Sequence, residues 1–166
     1  MSRIPSLIVV LVLCHIVAVR ASVPAISLSQ LEDRIEAAGD TTLVINFWAT
    51  WCKPCVAELP HFDKVSRSME ADGAKVKVIL VSLDSPKDLG NKVEPFVVRR
   101  GLHPDVVLLN EAKAHLWIDR VDPSWSGAIP ATLIVNHAAG KRAFHEREFT
   151  YKELQQTIQS FQKGLR

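Results

Sequence analysis

Two cysteines lie where one type of secondary structure gives way to another. The residues from Thr42 to Trp48 are mostly β-branched or aromatic, which predicts a buried strand. Cys52 and Cys55 follow almost at once, and a helical pattern with apolar residues on one side runs from Lys53 to about Met69. The sequence therefore predicts that the two cysteines open a helix that begins at the end of a strand.

Alternating strand-like and helical patterns account for most of the remaining chain. We predict further strands at Lys75–Leu83, Asp105–Leu109, Ala131–Asn136 and Lys141–Phe149, and helical segments at Ser29–Gly39, Ser85–Arg100, Ala112–Arg120 and Thr150–Gln162. Capping boxes, formed by Ser29 with Glu32 and by Thr150 with Glu153, mark the starts of the first and last helices. This order indicates an α/β fold with a central, mostly parallel sheet, an antiparallel edge strand and helices on both faces.

The first 21 residues have the composition of a secretory signal. Arg3 precedes an unbroken apolar run from Leu7 to Cys14, and small residues favour cleavage near Ala21 or Ser22. A retained membrane anchor is one alternative, although the run is shorter than the ~20 residues that a span needs. Lipidation at Cys14 is another. Cleavage would remove Cys14 and leave one cysteine pair in an exported protein, where disulfides persist.

The length and the net charge of the chain limit the number of domains and the classes of partner that it can have. A chain of 166 residues is long enough for one domain with a substantial core. The net charge is only +2, and no basic run indicates binding to nucleic acid. We expect a monomer with a single folded domain after the leader.

The predicted position of Cys52 favours a reactive thiol. The first N–H groups of a helix lack partners within the helix, and the helix dipole is positive there, so a thiolate is stabilised. We expect the pKa of Cys52 to fall from ~8.5 towards ~7 or below. Lys53 adds a positive charge, and Pro54 stiffens the first turn. Cys55 is then placed to release a partner that Cys52 has bound as a mixed disulfide.

Two other uses of a cysteine pair stay open at this point. An inert bridge would close a very small loop, which removes little chain entropy and does not require a helix terminus. A zinc site would need further ligands at matched spacing, whereas the six histidines are scattered singly. A redox pair fits the strand–Cys-x-x-Cys–helix context best, so we predict no metal and no cofactor beyond a Cys52–Cys55 disulfide.

The segment from Phe47 to Cys55, F-W-A-T-W-C-K-P-C, resembles the active site of the thioredoxin superfamily. The next five residues, V-A-E-L-P, are similar to its exported TlpA/ResA-like branch, and the resemblance covers residues 24–163 with an insertion around 85–120. It implies a thioredoxin-like fold and a thiol-disulfide oxidoreductase in which Cys52 reacts first and Cys55 resolves the mixed disulfide.

The same resemblance implies a setting for the reaction. The substrates would be disulfides or dithiols of extracytoplasmic proteins, in the periplasm or at the outer face of the cytoplasmic membrane. The direction would be reduction, for example in cytochrome c maturation, with electrons from a membrane protein. An oxidant would fit the same residues, because the direction depends on the reduction potential.

The resemblance also implies roles for residues outside the cysteine motif. Pro130 lies where this superfamily has a cis-proline facing the cysteines, so that the backbone of Ile129 can pair with an extended substrate. Asn46 stands where thioredoxins have a titratable aspartate, and Glu58 matches a glutamate of the TlpA/ResA-like branch. We therefore expect Glu58 to be the proton partner of the cysteine pair.

Aromatic residues are expected to complete the substrate site. We predict that Trp51 is exposed beside the cysteines, that Trp125 forms a wall of the substrate groove, and that Trp117 packs in the core. The predicted substrate-binding residues are Trp51, Lys53, Pro54, Trp125, Ile129 and Pro130.

Two other functions are compatible with a related fold. A peroxiredoxin-like thiol peroxidase would need a hydroxyl residue three positions before its reactive cysteine, where this chain has Ala49. A copper-binding carrier would need Cys-x-x-x-Cys and a distant histidine, and the spacing here is one residue shorter.

Overall fold

A six-stranded mixed sheet forms the centre of the protein in the computed structural model, which describes residues 22–165. The predicted leader and Cys14 lie outside the described residues. The strands are β1 (Ala25–Ile26), β2 (Thr42–Trp48), β3 (Val76–Ser82), β4 (Asp105–Leu109), β5 (Ala131–Asn136) and β6 (Lys141–His145). They are arranged in the order β1-β4-β3-β2-β5-β6.

Five α-helices flank this sheet in the described part of the chain. They are α1 (Leu28–Ala37), α2 (Lys53–Ala71), α3 (Glu94–Arg100), α4 (Ile118–Val121) and α5 (Tyr151–Lys163). A 3₁₀ turn at Pro86–Asp88 and a π turn at Leu89–Val93 precede α3, and a second 3₁₀ turn at Ala114–Leu116 precedes α4. No helix within residues 22–165 has the length and apolar character needed to cross a membrane.

Strand β2 lies at the middle of the sheet and changes its direction of pairing. It pairs in parallel with β3 and antiparallel with β5, and all seven of its residues are buried. Parallel pairs continue from β3 through β4 to β1, whereas β5 and β6 form an antiparallel hairpin at the other edge. The predicted α/β architecture, a mostly parallel sheet with an antiparallel edge, is confirmed.

Each face of the sheet has its own apolar core. Leu43, Ile45 and Phe47 of β2 face α1 and α4, whereas Val44 and Trp48 face α2 and α5. Burial of these side chains is the main favourable contribution to folding, at about 25 cal/mol per Å² of apolar surface. The prediction of helices on both faces is therefore correct.

The first helix begins earlier than predicted. Its N-cap is Ser27, whose hydroxyl accepts a hydrogen bond from the N–H of Gln30, while the Gln30 side chain accepts from the N–H of Ser27. Ser29 lies inside the helix, so the predicted box of Ser29 with Glu32 is wrong. The earlier start buries Leu28 against the sheet.

The segment between β3 and β5 is less regular than predicted. The helical stretch predicted for Ser85–Arg100 is divided into a 3₁₀ turn, a π turn and α3, in a region that contains Gly90 and Pro95. The helix predicted for Ala112–Arg120 is reduced to a 3₁₀ turn and the four-residue α4. The two-residue strand β1 was not predicted, because so short a run shows no periodicity.

The last strand ends at His145 and not, as predicted, at Phe149. The chain leaves the sheet there because its next groups bond elsewhere: the Glu146 carboxylate accepts from Ser126, and the N–H of Phe149 donates to Glu58. The box of Thr150 with Glu153 is present at the start of α5, as predicted.

Candidate active site

Cys52 and Cys55 form a disulfide at the start of α2, with an S–S distance of 2.00 Å. Cys52 is the N-cap of this helix, and its Sγ atom accepts a hydrogen bond from the N–H of Cys55 at 3.3 Å. Cys52 is 6% exposed and Cys55 is fully buried. Because the outer sulfur is nearer the surface, it is the one that a large substrate can reach first.

The end of β2 places this pair at one edge of the sheet. Trp48 and Ala49 are fully buried, and the chain then turns, with the N–H of Cys52 donating to the carbonyl of Ala49 at 3.1 Å. Pro54 occupies the first turn of α2, where a missing N–H leaves no hydrogen bond unmade. Lys53 is exposed beside the disulfide, as expected for a residue that meets solvent or a partner.

Glu58 is a buried carboxylic acid on the same helix as the disulfide. It is 2% exposed and lies three residues after Cys55, so both side chains are on one face of α2. Its Oε1 atom accepts from Nδ2 of Asn46 at 2.8 Å, and its Oε2 atom accepts from the N–H of Phe149 at 2.8 Å. These bonds connect α2, β2 and the segment before α5.

Burial raises the pKa of Glu58 to about 7 and outweighs the hydrogen bonds from Phe149 and Asn46, which favour the ionised form. The nearby Glu148 raises this pKa further, and Arg147 lowers it. A carboxyl group with such a pKa can both release and accept a proton near neutral pH.

Asn46 links this acid to the neighbouring strand. Its Nδ2 group donates to Glu58 and also to Oγ1 of Thr132, at 3.2 Å, which is its partner residue on β5. The Oδ1 atom of Asn46 is buried and has no hydrogen-bond partner among the described residues. Asn46 thus holds Glu58 against the strand that begins directly after Pro130.

The loop before β5 faces the outer cysteine. The Ile129–Pro130 peptide bond is cis, as the resemblance implied, and Pro130 is buried. The carbonyl oxygen of Ile129 lies 3.8 Å from Sγ of Cys52. The structure therefore brings together Cys52, Cys55, Glu58 and the Ile129–Pro130 loop, which are dispersed over the sequence.

The tryptophans differ in their surroundings. Trp51 is 67% exposed next to the disulfide, and Trp117 is buried, both as predicted. Trp125 is only 4% exposed and packs against Phe47, with a ring-centroid distance of 4.8 Å. The prediction that Trp125 forms a wall of the groove is therefore wrong, because its ring fills the core and offers almost no surface to a substrate.

A second buried carboxylate, that of Asp84, was not predicted at this site. It follows β3 and accepts hydrogen bonds from the N–H and the hydroxyl of Thr50, at 2.9 and 2.5 Å, and from the hydroxyl of Ser82 at 2.8 Å. It thereby fixes the loop that leads to Cys52. The available signal was its position, because parallel strands β2 and β3 end at the same edge of the sheet.

Among residues 22–165, no three histidine, cysteine or acidic side chains are grouped so that they could hold a metal ion. Within these residues, the Cys52–Cys55 disulfide is a group that can be reduced and oxidised.

A mixed sheet with a disulfide at a strand–helix junction and a cis-proline loop opposite defines a thioredoxin-fold thiol-disulfide oxidoreductase. Comparison with known proteins supports this class. The model of the AhpC/TSA family matches residues 19–140, and the chain belongs to that family.

The chain also resembles individual thiol-disulfide oxidoreductases and thioredoxin-like proteins. The chain is 28% identical to the thiol-disulfide oxidoreductase ResA of Geobacillus thermodenitrificans over 151 residues, which cover 87% of this chain and 78% of the relative. StoA of Bacillus subtilis has a similar fold, with a TM-score of 0.57 and 24% identity over 72% of this chain and 84% of StoA. A thioredoxin-related protein of Neisseria meningitidis serogroup B gives a TM-score of 0.61 and 22% identity over 74% of this chain and 85% of that protein. The chain therefore has a thioredoxin-like fold, and its sequence is similar to that of ResA.

Proposed function

We propose that the protein reduces disulfides of extracytoplasmic proteins, with apocytochrome c as a substrate of this type, and that a membrane protein supplies its electrons. One observation carries this proposal: the outer sulfur of the disulfide lies beside the Ile129 carbonyl, while the inner sulfur shares a helix face with the buried Glu58. The predicted leader at residues 1–21 and the similarity to ResA support an exported location in the periplasm or at the outer face of the cytoplasmic membrane.

The reaction uses the two cysteines in sequence. In the reduced protein, the Cys52 thiolate attacks a substrate disulfide, one substrate sulfur leaves as a thiolate, and a mixed disulfide forms. The Cys55 thiolate then attacks Sγ of Cys52 and releases the second substrate thiolate. Two electrons pass to the substrate, the Cys52–Cys55 disulfide is restored, and a dithiol donor reduces it for the next cycle.

Glu58 takes the role of proton partner in this scheme. Cys55 must lose a proton before it attacks, and a buried carboxylate with a pKa near 7 can accept it. When the protein is reduced again, the protonated Glu58 can return the proton to Cys55. Asn46 and the N–H of Phe149 hold the carboxylate in position for both steps.

The substrate meets the protein around the outer sulfur. Trp51 and Lys53 are exposed beside it, Pro54 is partly exposed, and Ile129 lies across from it, next to Pro130. An extended peptide can pair with the Ile129 backbone as an added strand while its sulfur reaches Cys52. We propose a monomer that binds its partners transiently through this surface.

The reduction potential of the Cys52–Cys55 couple tests the direction of the reaction. For a reductant we expect a value near that of thioredoxin, about −270 mV, which can be measured by equilibration with glutathione or dithiothreitol buffers. A value near −120 mV, typical of a strong oxidant, would contradict the proposal.

Membership of the AhpC/TSA family makes a thiol peroxidase the second candidate. The residue three positions before Cys52 is the buried Ala49, which has no hydroxyl group, and the hydroxyl of Thr50 donates to Asp84. We therefore expect slow consumption of hydrogen peroxide by the reduced protein. A rate that exceeds its rate with protein disulfides would favour the peroxidase.

A further inference from the structure

The loop before Ile129 is held from two sides. From the core side, Nε1 of Trp125 donates to the carbonyl of Ala128 at 2.8 Å. From the outer side, Oε1 of Glu146 accepts from the N–H of Ala128 at 3.2 Å. Both polar groups of the Ala128 backbone are therefore bonded, directly before the residue that faces Cys52.

Glu146 makes further bonds to the same loop. Its Oε2 atom accepts from the N–H of Ser126 at 2.9 Å, and its Oε1 atom also accepts from the Ser126 hydroxyl. The hydrogen bonds from the Ser126 side chain and backbone lower the pKa of Glu146. Charge-assisted bonds of this kind are stronger than neutral ones. Because Glu146 is exposed, they compete with water, so they order the loop more than they stabilise the whole fold.

The conformation of the loop between these two anchors requires a glycine at position 127. Its φ angle is +94°, in a region that residues with a side chain rarely adopt, and a Cβ atom would lie 3.0 Å from Cδ1 of Ile118. The backbone from Ser126 to Ala128 therefore has a defined path, with a carboxylate outside and an indole beneath.

We propose that Glu146 is a positioning residue for protein substrates, which acts by holding the Ser126–Ala128 loop and hence the backbone of Ile129. Binding of a strand-like partner costs less conformational entropy when the backbone that it pairs with is already ordered. This inference rests on the proposed function, because it requires substrates that pair with Ile129. Glu146 itself lies on the segment after β6 and acts through the loop and not on the reacting sulfurs.

The test compares two disulfides of different size. Reduced protein is mixed with insulin, whose disulfides lie in a polypeptide, or with hydroxyethyl disulfide, which has no backbone to pair. For Glu146→Ala we expect the second-order rate constant with insulin to fall about five- to tenfold, the effect of losing roughly one net hydrogen bond. The rate constant with hydroxyethyl disulfide should stay within about twofold of the wild-type value, because that disulfide makes no strand pairing.

Two variants serve as controls. Glu146→Gln keeps an acceptor oxygen for one backbone N–H, so we expect it to recover most of the rate with insulin. Glu36→Ala removes the same charge from an exposed position on α1 and should change neither rate. Amide hydrogen exchange at Ser126 and Ala128 should be faster in Glu146→Ala than in the wild type. The N–H of Ser126 loses its acceptor, and the N–H of Ala128 keeps only the longer bond to Oγ of Ser126, at 3.4 Å.

The proposal is overturned if Glu146→Ala lowers both rate constants equally, lowers neither, or leaves exchange at Ser126 and Ala128 unchanged. A wild-type protein that reduces neither disulfide would instead contradict the proposed function, and this inference would fall with it.

Discussion

The two faces of the sheet differ most clearly at adjacent residues of β2. Ile45 points to the face covered by α1 and α4, where the core around it is apolar. Asn46 points to the face covered by α2 and α5, where it bonds to Glu58 and Thr132. Both residues are fully buried. One strand therefore contributes an apolar side chain to one face and a polar side chain that holds a buried acid to the other.

This difference shows how the fold accommodates a buried acid. Burial of an ionised carboxylate is unfavourable unless hydrogen bonds compensate for the lost water. Asn46 and the N–H of Phe149 compensate only in part, so the pKa of Glu58 stays raised to about 7. The opposite face has no such cost and contributes stability through Ile45 and its neighbours.

The largest effect on stability is expected at Ile45, on the face covered by α1 and α4. Replacement Ile45→Ala removes a fully buried side chain and leaves a cavity, so the free energy of unfolding should fall by about 2–5 kcal/mol. Denaturant unfolding of the oxidised protein measures this loss. The control Val98→Ala, at a position 55% exposed, should change stability by less than about 0.5 kcal/mol. A loss at Ile45 no larger than at Val98 would contradict the packing described for this face.

A smaller effect on stability, which depends on pH, is expected at Glu58 on the face covered by α2 and α5. The folded protein keeps the proton of Glu58 up to pH about 7, whereas the unfolded chain loses it near pH 4.5. Between these values the unfolded state binds fewer protons, so stability decreases as pH rises, by at most roughly 3–4 kcal/mol. Glu58→Gln cannot titrate and should abolish this part of the pH dependence, as measured by denaturant unfolding at pH 4.5, 6 and 7.5.

Glu36→Gln is the matched control for this experiment, because it replaces an exposed glutamate on the other side of the sheet. Its free energy of unfolding should depend on pH as that of the wild type does. Glu58→Gln should in addition shift the reduction potential and its dependence on pH, since the cysteine pair loses its proton partner. If Glu58→Gln changes neither the pH dependence of stability nor the reduction potential, Glu58 does not have a raised pKa and is not the proton partner of the cysteine pair.

Local patterns were sufficient to predict the buried strands. The bounds of β2, β4 and β5 agree with the prediction because each strand is a short, mostly apolar run that is distinct from its neighbours in the sequence. The start of α1 was misplaced because Ser27 with Gln30 and Ser29 with Glu32 are both plausible capping boxes. The burial of Leu28, a tertiary property, decides between them.

The cysteine pair of the site could be predicted because both residues lie in one short motif. Contacts between distant segments were not accessible: Phe149 donates to Glu58 across 91 positions, and Glu146 reaches Ser126 across 20. Trp125 was assigned to the groove because a sequence does not show which face of a loop is buried. Its indole instead supports the loop from the core.

The most direct test of the account is the ionisation of Cys52 in the reduced protein. In a Cys55→Ser variant, the rate of alkylation by iodoacetamide as a function of pH reports the pKa of Cys52 alone. We expect a value of about 7 or below, since the thiol lies at the N-terminus of α2. A pKa at or above the ~8.5 of a free cysteine would contradict the account.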